Sequence, residues 1–290
     1  MAVIDIGTNS TRLLIADVGN GRLRVLHTGL VTTRLGEGIE GGYLLRRAIE
    51  RTVTVLKKYL QVGQSWQVKK TIAVATSAVR CALNRESFLR MVFEQTGLQV
   101  RVLSGEEEAH YAYLGVVSGL PVNPEEVLVM DVGGGSTEFT WRKDGRLYLR
   151  SVDVGAVRAT EGSYTGERIR RLLEPVLKEI KEIPPGTLAG VGGTVTTLAA
   201  MAMGLRVYDP VLVHGYVLKC EQIADLFTLL VRTPLERRRL LPGLQPERAD
   251  IIIAGVWIVL TVMNGLGLAS LLVSEADMMH GLALNCRNKK

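Results

Sequence analysis

Two kinds of hydrophobic spacing alternate along this chain. Short apolar runs bounded by polar and glycine-bearing breaks predict strands, and stretches whose apolar positions recur every three to four residues predict helices. In the first half this gives a strand and hairpin over 2–35, a helix at about 43–60, a strand at 71–75, a helix at 85–95, a strand at 99–103 and a helix at 105–118. In the second half it gives strands at 127–131, 136–141, near 147–154 and at 187–191, with a helix at 166–182 that is basic and amphipathic. Helices from Thr194, near 221–231 and over 247–263 follow, and a last strand and helix fill 270–286. Asn84 stands at the N-cap position of helix 85–95 and Gly97 at its stop, while Pro184-Pro185-Gly186 ends helix 166–182. Strands alternating with helices imply α/β layers with covered sheets. A chain of 290 residues with 47% hydrophobic content is enough for about two packed domains. The break at Ser118-Gly119-Leu120-Pro121 divides it into 1–118 and 119–290, with the last helix, 275–290, expected to pack back on the first domain.

The pattern also repeats. VIDIGTNST at residues 3–11 returns as VMDVGGGST at 129–137, identical at five of nine positions. Each copy reads as a strand that ends on an acid, Asp5 or Asp131, and then turns through small residues: Gly7, Thr8, Asn9 and Ser10 in one, Gly133, Gly134, Gly135 and Ser136 in the other. Such a turn can point several backbone N–H groups at one anion, with hydroxyl and amide side chains as further donors. Asn20-Gly21 and Asp144-Gly145 then suit type I′ hairpin turns. A third turn, Gly192-Gly193-Thr194, follows strand 187–191 and opens a helix, where phosphate meets a positive helix end. Two related units 126 residues apart (131 − 5), with a third turn beside them, suggest two domains gripping one phosphorylated ligand.

Charge narrows the ligand. Lys and Arg number 35 against 29 Asp and Glu, a net +6, and basic pairs or triplets fall at Arg46-Arg47, Lys57-Lys58, Lys69-Lys70, Arg170-Arg171 and Arg237-Arg238-Arg239. Individually these suit solvated helix faces; together they favour a polyanion. Aromatic content of 5% with no stacking motif or zinc-finger spacing argues against nucleic acid. Cys81, Cys220 and Cys286 are far apart, odd in number and without CxxC, which fits a reducing cytoplasm, and no signal peptide precedes the first strand. Residues 251–274 carry no charge and imitate a membrane span, but Asn264-Gly265-Leu266-Gly267 breaks the segment into a helix and a short strand, so no membrane association is expected.

The chemistry rests on a few polar residues. Asp5 and Asp131 suit a Mg²⁺ (or Mn²⁺) ion carried by phosphates, held directly or through water, although each also suits a cap of its own turn. Glu138, two residues past Ser136 on the same strand face, joins that cluster. Ser104 and Glu107 form a capping box for helix 105–118, which accounts for Glu107. It does not account for Glu108, which shares a face with Tyr111, Ala112 and Gly115 and so points inward, where a carboxylate near phosphate has an obvious task as acceptor of a proton from an attacking water. Arg80, just after strand 71–75, offers the positive charge that phosphoryl oxygens need.

Taken in order, AVIDIGTNSTRLLIADV (2–18), ATSAVRCALNRESFL (75–89), VLSGEEEAHYAYLGV (102–116), VLVMDVGGGSTEFTW (127–141), DVGAVRATE (153–161), AGVGGTVTTLAAM (189–201) and PERADIIIAGVWIV (246–259) resemble the exopolyphosphatase/guanosine pentaphosphate phosphatase family. That family lies within the actin, sugar-kinase and heat-shock-chaperone fold group. The resemblance implies two ribonuclease-H-like domains with a cleft between them, and Mg²⁺-dependent release of terminal phosphate from a polyphosphate chain. By position it makes Glu108 the catalytic Glu, Arg80 a phosphate-binding Arg, Asn9 and Ser10 the first turn, and Gly134, Gly135, Ser136 and Glu138 the second. Two departures stand out. His110 replaces an Arg, so a permanent charge becomes a titratable one. VSEADMMHGLAL (273–284) keeps the outline of the family's VSDxGLREG segment with different charges. The chain also stops at Lys290, without the helical extension of longer members, which suggests short substrates.

The expectation is therefore an exopolyphosphatase in which the turns and Arg80 hold phosphates, Mg²⁺ offsets their charge and Glu108, with Arg80 and Glu138 as its catalytic companions, activates water. The rivals are hydrolysis of guanosine pentaphosphate at the same site, a kinase of the same fold group, and a non-catalytic phosphate or nucleotide sensor. Inorganic polyphosphate or guanosine pentaphosphate is the implied substrate, the basic surface its landing track, and a homodimer an admissible assembly.

Overall fold

The computed structural model describes residues 1–19, 22–182 and 184–286; the expected Asn20-Gly21 turn and the end of the last helix beyond 286 lie outside the described residues. The first half forms β1 (Ala2–Ile6), β2 (Thr11–Gly19), β3 (Arg22–Val31), α1 (Arg46–Ser65), β4 (Thr71–Ala75), α2 (Ser77–Cys81), α3 (Arg85–Thr96), β5 (Val100–Val102) and α4 (Gly105–Gly119). The second forms β6 (Val127–Val132), β7 (Thr137–Lys143), β8 (Arg146–Val152), α5 (Ala156–Glu161), α6 (Gly166–Lys181), β9 (Thr187–Val191) and α7 (Gly193–Ala202). It continues with α8 (Pro210–Val213), β10 (Val217–Lys219), α9 (Cys220–Arg232), α10 (Leu235–Arg238), α11 (Ile252–Leu266), β11 (Ser270–Val273) and α12 (Met278–Asn285).

The strands make two sheets, ordered β3-β2-β1-β4-β5 and β10-β11-β9-β6-β7-β8. In the first, β1, β4 and β5 run parallel and β2 and β3 fold back antiparallel. In the second, β6, β9 and β11 run parallel and β7 and β8 fold back in the same way, so the sequence repeat is a repeat of topology. Asp144 and Gly145 both have positive φ (50° and 72°), as a type I′ turn requires.

Strand alternation decides where the acids go. On β1, Ile4 and Ile6 pack outward with Leu56 of α1 and Phe88 of α3, whereas Val3 faces α4 and α12. On β6, Leu128, Met130 and Val132 pack among Ile169 of α6 and Val256 of α11, whereas Val127 and Val129 face α4. Asp5 and Asp131 share the parity of Val3 and Val129 and therefore turn toward the layer between the sheets. That layer is α4 and α12, whose Tyr111, Val116, Met278 and Leu282 join one core with both sheets. The two helices cross closely enough that a Cβ at Gly115 would run into the Asp277 carbonyl, and one at Gly281 into that of Tyr111.

Several boundaries differ from expectation. The helix expected over 43–60 runs from Arg46 to Ser65, and the one expected over 247–263 starts only at Ile252, after a 3₁₀ turn at Pro246–Arg248. The short α2, α5, α8 and α10 and the strand β10 are too brief to show a period in the sequence. Asn84 occupies its N-cap position, but its amide is spent elsewhere, accepting from Leu44 N at 2.9 Å and donating to Leu44 O at 3.0 Å. Residues 251–274 divide into α11 and β11 at the left-handed Gly267, and no described helix is long and apolar enough to cross a membrane.

Candidate active site

The two repeated turns close with the same bond: Gly7 N donates to Ser10 O and Gly133 N to Ser136 O, each at 3.0 Å. They meet tip to tip. A Cβ on Gly135 would come within 2.6 Å of Ser77 Oγ and 2.9 Å of Thr8 Oγ1, so only glycine lets the second turn approach the first. The third turn leaves β9 with Gly192 at φ +90°, and no side chain caps the first N–H groups of α7. Gly7, Thr8, Asn9, Ser10, Gly133, Gly134, Gly135, Ser136, Gly192, Gly193 and Thr194 all line one cleft of about 1110 Å³, together with Asp5, Glu108 and Asp131. Arg80 and Glu138 stand one step behind its wall.

Glu108 is 8% exposed at the first turn of α4, where the Ser104–Glu107 capping box fixes the helix start. Arg80 Nη1 donates to Glu108 Oε2 at 2.9 Å and to Leu103 O at 3.1 Å, and its Nη2 lies 3.4 Å from Ser136 Oγ. Burial outweighs this ion pair and pushes the Glu108 carboxyl up to about 7, the range in which a general base is most effective.

The hairpins differ in what faces the acid. Asp5 stands opposite Arg12 in the first and Asp131 opposite Glu138 in the second. Directly opposed side chains interact, so the first pairing attracts and the second repels. Arg12 Nε and Nη2 reach Asp5 Oδ2 at 2.9 and 2.8 Å, and its Nη1 binds Asp277 at the N-cap of α12. Burial still raises the Asp5 carboxyl, whereas at Asp277 burial is outweighed by Arg12 and His280, which hold it well below the usual carboxylate range. Asp131 has no such partner among the described residues: burial, then the charges of Glu108 and Asp277, push it up to about 8. Glu138 Oε1 accepts from Ser151 Oγ at 2.7 Å while its buried Oε2 has no partner among the described residues, and burial with Glu108 and Asp131 drives its pKa well up.

These acids suit a hard cation in company with phosphate. Asp5 Oδ1 and Glu138 Oε2 are buried without hydrogen-bond partners among the described residues, and the crowding around Asp131 is the kind that a divalent charge relieves. Among the described residues no group of three His, Cys, Asp or Glu side chains can hold a metal alone, so phosphate and water would have to complete the shell.

Arg12, Asp277 and Arg248, the last lining the cleft against Gly193, carry no local signal that points to the site. The signal for Arg12 lay in the repeat, because it holds the place of Glu138. His110, the titratable replacement for an Arg, is not among the residues that line the cleft; it packs edge-on to Tyr111 at 5.6 Å, and burial lowers its pKa. In the Arg237-Arg238-Arg239 triplet the middle residue is buried and holds the carbonyls of Leu230, Thr233 and Ala249, so it is no part of a surface track.

A family model described as the Ppx/GppA phosphatase family matches residues 14–289. The chain belongs to the Ppx/GppA phosphatase family. It is thereby a phosphatase, a hydrolase with the family's two-lobed, actin-like α/β fold. It is similar to exopolyphosphatase 2 of Mycobacterium tuberculosis, 33% identical over 98% of each chain. A Ppx/GppA enzyme of Aquifex aeolicus superposes with a TM-score of 0.80 at 37% identity, covering 98% of both chains. A bifunctional 3-dehydroquinate synthase/phosphatase of Fusobacterium nucleatum is 33% identical over 98% of this chain, which spans only 46% of that longer protein.

Proposed function

We propose that this Ppx/GppA phosphatase is an exopolyphosphatase that releases terminal orthophosphate from inorganic polyphosphate. The observation that carries the reading is Glu108: a buried carboxylate poised near neutrality at the wall of a cleft where three glycine turns converge. The kinship with the mycobacterial exopolyphosphatase supports it. In this reading the first and second turns hold the terminal phosphate by their amides and by Asn9, Ser10 and Ser136. Arg80 orients Glu108 and Ser136, and Glu108 takes a proton from the water that attacks the terminal phosphorus as the anhydride oxygen departs. Such a transfer asks mainly for positioning and neutralisation of charge.

Asp5 and Asp131, with phosphate and water completing the shell, would hold Mg²⁺ or Mn²⁺, with Glu138 close behind them. Bound there, the ion would offset the charge of the phosphates and of the acids around them. We take the two lobes, divided near residue 118, as the domains of the enzyme. The free thiols of Cys81, Cys220 and Cys286 favour the cytoplasm.

Phosphate release from polyphosphate, with no acceptor present and beside guanosine pentaphosphate, tests the proposal. Release from the polymer supports it. Turnover of the nucleotide alone would assign the same site to guanosine pentaphosphate, and release from neither would reject hydrolysis of both.

A further inference from the structure

The second phosphate turn is held from behind. Ala156 N donates to Gly133 O at 3.0 Å, and Val157 N and Arg158 N donate to Gly134 O at 2.8 and 3.0 Å. The first three amides of α5, which a helix leaves without internal acceptors, are thus spent on the turn. The next carbonyl, Gly135 O, accepts from a side chain instead: Arg158 Nε, at 2.7 Å. A planar trans peptide sets each C=O antiparallel to the N–H of the following residue. With the carbonyls of Gly133, Gly134 and Gly135 turned to α5, the N–H groups of Gly134, Gly135 and Ser136 turn the other way, toward the cleft that these residues line. Among the described residues none of the three N–H groups has an acceptor in the protein.

The first turn is held in the same way by backbone alone, since Gly36 N donates to Thr8 O and Arg34 N to Asn9 O, both at 2.8 Å. Of all these peptides, the one between Gly135 and Ser136 is set by a side chain. It also follows a glycine, whose backbone turns most freely. Turned over, this peptide would set Gly135 O against the phosphate oxygens in place of a donor. Arg158 is committed to preventing that: its side chain is 12% exposed, and its other contacts are looser, Nη2 lying 3.6 Å from Cys81 Sγ and Nη1 3.8 Å from Glu40. It is not among the residues that line the cleft.

We propose that Arg158 is a positioning residue: by holding Gly135 O it keeps the Ser136 N–H aimed at the phosphate between the first two turns. The kinetic half of its test rests on the exopolyphosphatase reading, and the binding half does not. Inorganic phosphate is titrated, in EDTA, into the ¹⁵N-labelled protein and its Arg158→Leu and Arg158→Lys variants, and tripolyphosphate hydrolysis is followed with Mg²⁺. In the wild type the Ser136 amide resonance should move as phosphate binds. In Arg158→Leu that movement should be lost and kcat should fall roughly 10- to 100-fold, approaching the loss of one oxyanion donor, with Arg158→Lys restoring part of both. The slope of log affinity against log salt should stay as in the wild type, because the guanidinium stands behind the turn and meets no phosphate. A wild-type Ser136 amide that ignores phosphate would overturn the proposal, and that measurement stands whether or not the variants fold. An equal response in Arg158→Leu, with or without a lower melting temperature, would overturn it and leave Arg158 a packing residue. A slope flatter by about one in Arg158→Leu would overturn it too, since Arg158 would then bind phosphate itself. If Glu40→Gln loses as much turnover as Arg158→Leu, the arginine acts through Glu40 and the proposal falls. An amide response that depends on Arg158 in a protein that releases no phosphate would uphold the positioning and sink the hydrolase reading instead.

Discussion

At the scale of single residues, what sets Glu108 apart from its neighbours is burial. Glu106, Glu107 and Glu108 all sit in the first turn of α4, but Glu107 is spent on the capping box and on Arg101 at 2.8 Å, while Glu108 faces the cleft. Glu108→Gln should therefore lower kcat by roughly 10²–10⁴-fold, the usual worth of a general base, with substrate binding retained. Glu107→Gln should cost only stability, about 1 kcal/mol for a weakened cap. Equal turnover in the two variants would remove Glu108 from the chemistry. The raised pKa adds a signature. A base must be ionised, so log kcat/KM of the free enzyme should climb with pH and level off above about 7. That limb should vanish from whatever residual activity Glu108→Gln retains; a wild-type profile already flat across about pH 5–8 contradicts the assignment.

At the scale of elements, the long periodic segments and both repeated turns were legible, because alternation and glycine-rich punctuation are local signals. β1, β4, β6, β9, α3, α4 and α6 fall within a few residues of where the pattern put them. What stayed hidden depends on pairing across the chain. Nothing near Arg12 says that its guanidinium joins Asp5 on the neighbouring strand to Asp277 at the start of α12, 265 residues away. The altered charges of 273–284 make sense only in this light, since Asp277 both caps α12 and binds the first hairpin. The same blindness covers His110, which stands where the family has an Arg but does not line the cleft. Asp5 and Asp277 have side chains 5% and 10% exposed, so Arg12→Leu would leave two buried acids without their cation. Loss of such a partner costs about 3–5 kcal/mol. Urea unfolding should show it, with the exposed Arg24–Asp17 pair as control, where Arg24→Ala should cost at most about 1 kcal/mol. Similar losses in both would mean that the Arg12 cluster is no keystone between first strand and last helix.

At the scale of the whole molecule, the cleft concentrates negative charge that the fold alone does not balance. Asp5, Glu108, Asp131 and Glu138 all have raised pKa values. A carboxyl raised by folding contributes stability that is complete below its unfolded pKa of about 4 and is lost as pH climbs through the folded value. For Asp131 that loss extends to about 8. The metal-free protein should accordingly melt at a lower temperature at pH 8.5 than at pH 6, about, and Asp131→Asn should shrink the difference while Mg²⁺ restores the wild type. Melting curves in EDTA that show no decline would mean the acids are solvated after all. The same imbalance bears on how a long polymer is handled. In the proposed reading the contacts of the three turns and Arg80 reach only a few phosphates, and each further unit adds charge that has no partner assigned to it among the described residues. Arg34–Asp250 and Gly38 N to Glu161 Oε2 also tie the two halves of the chain together, at 2.8 and 2.9 Å. Affinity should thus level off at short chains, and the enzyme should let go between cuts. Partial digestion of a long, uniform polyphosphate, sized by gel, decides the matter. A gradual shortening of all chains is the expected pattern, whereas intact long chains beside free phosphate would reveal processive action and a binding track that extends beyond the cleft.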